Sequence, residues 1–509
     1  MKKNRLKLFA VIILIASVLA SCATSAPSGG YAPPKKNITV SLGTSSLTLI
    51  SGQSHTFSPT FKNTDTAPDL VWTSSDQSIL SVSPDGTITA ENTTDGNITA
   101  TITAAIADNP NMKSVCTVTV FPEEKTHFLT AGPGQDASSQ TIISWHNPQG
   151  TCTLEYTEAS GSEFTHSIAV EGEPTASDWA DLSSIYRYNV TLTDLVPDSE
   201  YRYRVVTPDG KATETQSFRT AGTDGTFSFA WMSDIHASTA ASLQNFQTLL
   251  KMAGEKADLS FCLFTGDMVN QGKRYTYWES WTDSKVLSDM SYAFVIGNHE
   301  YYPNNSLETA TPSYYLDFAA RADNHGSSIA SDYWFLYNNV LFICLDSMAP
   351  DYARKQSPNP YLESQAMWFE EVINNNAGKY RYIIVCQHFA HLDGDDEGTG
   401  FYSFWYPYFD KYGVDLALTS DSHKYSRSKT LYNDQVSETG TVYLTSPMSE
   451  GKELDEIISI DQPGRRSAFF TDEKVKGGAY INVTPDSLTV HIIGASGAEY
   501  DSLTIPSRR

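Results

Sequence analysis

The sequence predicts a multidomain chain: two all-β sandwiches, then an α/β layered domain built as a two-sheet sandwich flanked by helices. Three observations carry this. The chain has 509 residues, enough for about three domains. Up to residue 221 the apolar residues alternate with period two between turn residues, as half-buried strands do. From residue 225 short apolar strands alternate with helical faces. An apolar content of 40% supports folded cores and excludes global disorder. A net charge of -24 argues against a nucleic-acid backbone as partner. Six cysteines are too few for a disulfide-built scaffold.

The N-terminus reads as an export leader. Lys2, Lys3, Arg5 and Lys7 precede an apolar run of 12 residues, Leu8 to Leu19, which is too short to span a bilayer comfortably. The run ends in Leu19-Ala20-Ser21-Cys22, which resembles the lipobox of bacterial lipoproteins. That resemblance implies cleavage after residue 21 and a lipid on Cys22. It places the protein on the cell envelope, in the periplasm or at the cell surface, touching membrane only through its anchor. Cleavage without lipidation is the other reading. Residues 1–22 are the leader and 23–37 an Ala/Ser/Gly/Pro-rich tether. Loss of the four leader cations takes the net charge from -24 to -28.

Residues 38–121 hold alternating strands such as Ser46–Leu49 and Cys116–Val120, with a tight turn at Asp85-Gly86. The segments 52–54, 72–76 and 85–90 resemble the group 2 bacterial Ig-like domain, which implies a spacer or adhesion module. Residues 126–221 supply a core tryptophan strand at Ile142–Trp145. Leu195-x-Pro197 followed by Tyr201-x-Tyr203 suits a tyrosine corner. This region resembles the fibronectin-III-like domain that precedes the catalytic domain of purple acid phosphatases.

Residues 225–509 carry the chemistry. Apolar strands end in Asp234-Ile235-His236, Gly266-Asp267, Gly297-Asn298-His299-Glu300, Gln387-His388 and Ser420-Asp421-Ser422-His423. Strand ends are where ligands collect in such folds. In this order the motifs resemble the calcineurin-like metallophosphoesterase superfamily, whose pattern is D-x-H, G-D, G-N-H-D/E, H and G-H-x-H. The resemblance implies two transition or divalent metal ions, Fe, Mn or Zn. Asp234, His236, Asp267 and His423 would hold the first; Asp267, Asn298 and His388 would hold the second. A hydroxide generated on the metals would hydrolyse a phosphate ester. His299 would protonate the leaving group, and Glu300 would orient His299.

Two departures qualify that picture. Asn270 stands where purple acid phosphatases have a ligating tyrosine, so no purple chromophore is expected. Asp421 replaces the first histidine of G-H-x-H. It either ligates the second metal through oxygen, making the site less attractive to phosphate dianions and favouring diesters, or leaves that site weak. His391 and Arg427 are further candidates for substrate contact, Arg427 to phosphate or to a carboxylate, with Asn298 as a third.

The expected substrate is a phosphorylated small molecule or glycan. The rival reading is a catalytically impaired adhesion or carbohydrate-binding lipoprotein, and Asp421 is the feature that feeds it. The aromatic run Phe401–Phe409 reads as helix core. Tyr301, Tyr302, Tyr314 and Tyr315 are candidates for stacking a sugar or base.

Overall fold

The computed structural model describes residues 38–509 apart from 95–96, 123–125, 162, 176–184, 285–287, 289, 303–311, 319, 323–325, 353–356, 394–396, 451–464 and 472–473. The leader, Cys22 and the tether lie outside the described residues. Among the described residues no helix is long and apolar enough to cross a membrane.

Residues 38–121 fold as a β-sandwich around Leu49, Phe57, Ile88, Ile102 and Val118. The turn at Asp85-Gly86 requires glycine. Its φ is +83°, and a Cβ there would lie 2.4 Å from the Trp72 ring. The module is docked on the rest of the chain, because Ile50 and Phe121 share a core with Tyr275 and Trp278 of the α/β region. The Arg274 guanidinium also donates to Ser46 Oγ. The spacer expected from sequence is thus packed against the α/β region at its far end.

In the second module Trp145 is fully buried and stacks on Tyr188 at 4.7 Å. Tyr201 makes the corner: its hydroxyl accepts from the Val196 amide at 3.0 Å. One face of this module is continuous with the α/β region. The strand His127–Pro133 pairs in parallel with Ser291–Phe294 through Ala131 and Ser291. The result is a ten-stranded sheet running from Glu173–Pro174 to Glu499–Pro506.

The second sheet has seven strands, from Tyr333–Tyr337 to Ser467–Phe470. Its first hairpin turns at Asn338-Asn339, both at positive φ, as that tight turn demands. Phe229, Phe261, Phe342, Ile384 and Leu418 fill the space between the sheets. The helices Gln244–Gly254 and Tyr275–Asp283 cover the outer face of one sheet. The helices Pro360–Asn375 and Gly400–Tyr412 cover the other. Tyr402, Trp405 and Phe409 are buried there, as the helix-core reading expects. Five described cysteines, Cys116, Cys152, Cys262, Cys344 and Cys386, are buried and unbridged.

The junction of the second module with the α/β region buries two histidines. His127 Nδ1 lies 2.8 Å from the Glu279 carboxylate. His146 sits between Tyr275 Oη at 2.9 Å and the Asp317 carbonyl at 2.9 Å, with Arg187 near Asp317. Burial pushes His146 down to about 4 against the opposing pull of the Asp317 carbonyl. Between the ordinary value of 6.5 and about 4, the unfolded chain takes up a proton that the folded chain refuses. Stability should therefore fall as pH falls through that window, by at most about 1.4 kcal/mol per pH unit. Urea unfolding from pH 7 to pH 4 checks this, with His146→Gln expected to flatten the dependence.

Candidate metal centre

Every motif sits at or just beyond a strand end, and the backbone of three of the connecting turns is unusual. Asp234, His236, Asp267, Asp421 and His423 all have positive φ, between 48° and 72°. Each such non-glycine residue costs roughly 1–2 kcal/mol. The turns hold one another there. The amides of Ile235 and His236 donate to the Asp267 carbonyl, both at 2.9 Å, and that of Asp234 to Gly266 at 3.1 Å. Two glycines make room. A Cβ on Gly266 would lie 2.4 Å from His388 Nδ1, and one on Gly297 would lie 2.3 Å from Asp267 Oδ1.

These turns bring Asp234, His236, Asp267 and His423 together, with one ligand atom from each lying within 4.8 Å of the others. Asp234 has no exposure, and neither of its oxygens has a hydrogen-bond partner. Its ion partner, His423 Nε2, lies 3.3 Å away. A buried carboxylate without hydrogen bonds is costly unless a cation compensates it. A mixed carboxylate and imidazole set suits a transition metal. The residues therefore fit the first ion.

The second group shares Asp267. His388 Nε2 lies 3.3 Å from Asp267 Oδ1, 3.6 Å from Asp421 Oδ1 and 2.8 Å from Asn298 Oδ1. His388 Nδ1 donates to the Thr265 carbonyl at 2.7 Å, which leaves Nε2 as the ligating atom. Hydrogen bonding alone would favour the reversed Asn298 amide, donating to Asp267 and accepting from Tyr302. A cation between Asn298, His388 and Asp267 instead requires the oxygen to face inward. Asp421 is open where Asp267 and His388 are not, its side chain 40% exposed against 2% and 0%. The structure thus brings Asn298, His388 and Asp421 to the same side of Asp267.

The charges are strongly coupled. Burial opposes a charged His388, but the Asp267 carboxylate outweighs it and holds the imidazole well above its ordinary range. Burial likewise opposes the Asp267 charge, yet His388 and His236 hold that carboxyl well below its ordinary range. Burial, helped by Asp234 and Asp267 and opposed by His388, pushes Asp421 up to about 6.

His299 reaches the other side of Asp267, its Nε2 3.9 Å from Oδ2. Its Nδ1 donates to the Asn270 carbonyl at 2.8 Å. That bond, rather than Glu300, orients the ring. The Glu300 carboxylate is fully buried and accepts from the amides of Asp267, Met268, Val269 and Gly297 at 2.7–3.2 Å. Glu300 is thus a positioning residue for the Asp267 and Gly297 turns, correcting the expectation that it acts on His299.

One other candidate is also corrected, and a second finds one of its two expected partners. His391 is buried, its ring 5.5 Å from those of Phe409 and Tyr443, so it faces core rather than cleft. Burial pushes it down to about 3. Arg427 is held by Asp501 through two bonds, Nε to Oδ2 at 2.6 Å and Nη2 to Oδ1 at 3.0 Å. Asp501 is thus the carboxylate partner among the two expected.

Among the tyrosines, Tyr301 and Tyr315 are buried, whereas the Tyr302 ring lies 4.7 Å from His299. Sequence reading missed Glu450, whose carboxylate lies 3.4 Å from His236 Nδ1. It backs His236 as metal-bound histidines are commonly backed. Burial opposes a charged His236, but Asp267 and Glu450 raise it to about 10. No motif marks Glu450, which enters the site from a distant part of the chain.

Residues 227–425 match the calcineurin-like phosphoesterase family profile. Residues 128–220 match the purple acid phosphatase N-terminal domain. The fold is similar to that of a purple acid phosphatase from yellow lupin (Lupinus luteus) seeds. That likeness has 13% identity and a TM-score of 0.62, over 92% of this chain and 96% of that one. It is also similar to the structure of PhoD, at 12% identity and a TM-score of 0.52, covering 75% and 89% of the two chains. No curated protein matches in sequence. The calcineurin-like region and its N-terminal β-module therefore have the architecture of a metallophosphoesterase, with a purple-acid-phosphatase-like arrangement of the two. The Asn270 backbone carbonyl accepts from His299 Nδ1.

Proposed function

We propose that this chain is an exported, lipid-anchored, metal-dependent hydrolase of phosphate esters. The observation that carries the enzymatic part is Asp234: a fully buried carboxylate without hydrogen bonds, inside a cluster of Asp267, His236 and His423. Asp234, His236, Asp267 and His423 would hold one ion. Asp267, Asn298, His388 and Asp421 would hold the other. Bound there, two such ions supply Lewis-acid charge and an acidified water. The protein's own residues do the rest. With Nδ1 committed to Asn270, His299 passes a proton from Nε2 to the leaving oxygen, an effect worth about 10²–10⁴-fold. The Thr265 carbonyl fixes the His388 ring, and Glu450 lies beside that of His236 as a charge partner. The leader supports envelope anchoring through Cys22, and a phosphorylated small molecule or surface glycan suits that location.

The test is turnover of p-nitrophenyl phosphate and bis(p-nitrophenyl) phosphate by purified protein, with and without chelator. Chelator-sensitive turnover is expected. Its absence with every added divalent metal would return the chain to the binding-module reading.

Asp421 sets the second expected result. Two dications against Asp234, Asp267 and Asp421 leave one net positive charge, which the nearby Glu450 carboxylate offsets. Metal analysis should find two ions per chain, falling to one in Asp421→Ala. One ion in both proteins would show that Asp421 is not a ligand.

A further inference from the structure

Beside the second metal group lies a cavity of about 460 Å³, within the range of small-molecule sites. Asp421 belongs to both: its Oδ1 lies 3.6 Å from His388 Nε2, and its side chain lines the cavity. The walls are Pro350, Leu362, Phe389 and Phe401, with the two phenyl rings 5.9 Å apart. Phe401 is thus the member of its aromatic run that lines this cavity. Two of its uncharged polar side chains are already occupied. Asn359 caps its helix through the amides of Tyr361 and Leu362 and donates to the Pro350 carbonyl. Thr399 accepts from the Tyr402 amide and donates to the Ala390 carbonyl. The described charged lining groups are carboxylates, Asp351 and Asp421. Such a cavity suits an apolar, uncharged occupant.

Its position says which part of a substrate that is. His299 Nε2 approaches Asp267 at Oδ2, whereas His388 Nε2 approaches it at Oδ1, and Asp421 adjoins His388. The proton donor therefore meets the bridging carboxylate at one oxygen, and the cavity adjoins the histidine that meets it at the other. We propose that the cavity walled by Phe389, Phe401 and Leu362 binds the retained apolar or aromatic substituent of a phosphodiester. This rests on the phosphoesterase reading above and adds a substrate class to it. In the reaction, water's oxygen bonds to phosphorus and its proton leaves to solvent. The bond from phosphorus to the leaving oxygen breaks, and that oxygen takes the His299 proton. The group in the cavity stays on phosphorus.

The test uses three substrates with one leaving group: bis(p-nitrophenyl) phosphate, methyl p-nitrophenyl phosphate and p-nitrophenyl phosphate. They differ only in the retained substituent, which is aryl, methyl or absent. Phe401→Ala should lower the kcat/KM ratio of the aryl diester to the methyl diester about tenfold, the scale of one aromatic contact. Leu362→Trp, which fills the cavity from the other helix, should lower the same ratio and provides the answer if Phe401→Ala does not fold. Equal losses on all three substrates would overturn the proposal, because the cavity would then hold the leaving group or only support the fold. An unchanged ratio in both variants would also overturn it. If wild-type protein shows no chelator-sensitive turnover of any of the three, the phosphoesterase reading fails instead.

Discussion

Asp267→Asn is expected to release both ions and to lower chelator-sensitive kcat/KM by at least about 10³-fold. That is the scale of losing the several kcal/mol a metal supplies to a phosphoryl transition state. The residue is the only described carboxylate placed between both imidazole groups: Oδ2 lies 3.1 Å from His236 Nε2, and Oδ1 lies 3.3 Å from His388 Nε2. Asparagine is a cleaner replacement than alanine. The position has φ of 56°, which asparagine tolerates and alanine does not. The Asn oxygen can still accept from the His299 amide, now 2.9 Å from Oδ1. What is lost is one negative charge and one bridging oxygen. Metal analysis and turnover on the same preparation check both halves. Full activity with two ions retained would remove Asp267 from the centre.

The motif residues were legible because each sits within six residues of a strand end, and apolar runs mark strand ends. Their order along the chain then matched the order in which the turns meet. Side-chain direction was not legible. His391 lies three residues after His388, yet its ring turns into the core against Phe409 and Tyr443. Arg427 follows the last motif, yet Asp501, in the final strand of the other sheet, claims it. Glu450 and the Thr265 and Asn270 carbonyls act through long-range packing or through the backbone, and neither leaves a residue pattern. The joined sheet was hidden for the same reason. One parallel contact, Ala131 to Ser291, merges two regions whose local patterns differ.

Glu300→Gln should separate two roles that the G-N-H-E motif alone leaves merged. Glu300 accepts four backbone amides with two carboxylate oxygens. Burial and the Asp267 charge push it up to about 7, against the pull of those amides. Glutamine offers one oxygen and turns an NH₂ toward donors, so about two of the four bonds are lost and one amide group is left facing another. Bonds of this kind contribute about 1.5–3 kcal/mol each, so thermal stability should drop by several degrees. The Asp267 turn should loosen with it, and metal affinity should fall. The form of the kinetic loss decides the role. A residue that orients the proton donor matters most for poor leaving groups, because those need protonation in the transition state. A residue that positions Asp267 acts before any leaving group departs. The loss in Glu300→Gln should therefore be similar for p-nitrophenyl and alkyl esters and should shrink as metal concentration rises. His299→Ala should show the opposite pattern, with alkyl esters hit hardest and no rescue by metal. If Glu300→Gln instead behaves like His299→Ala, the four amide bonds are incidental and the carboxylate acts through the histidine.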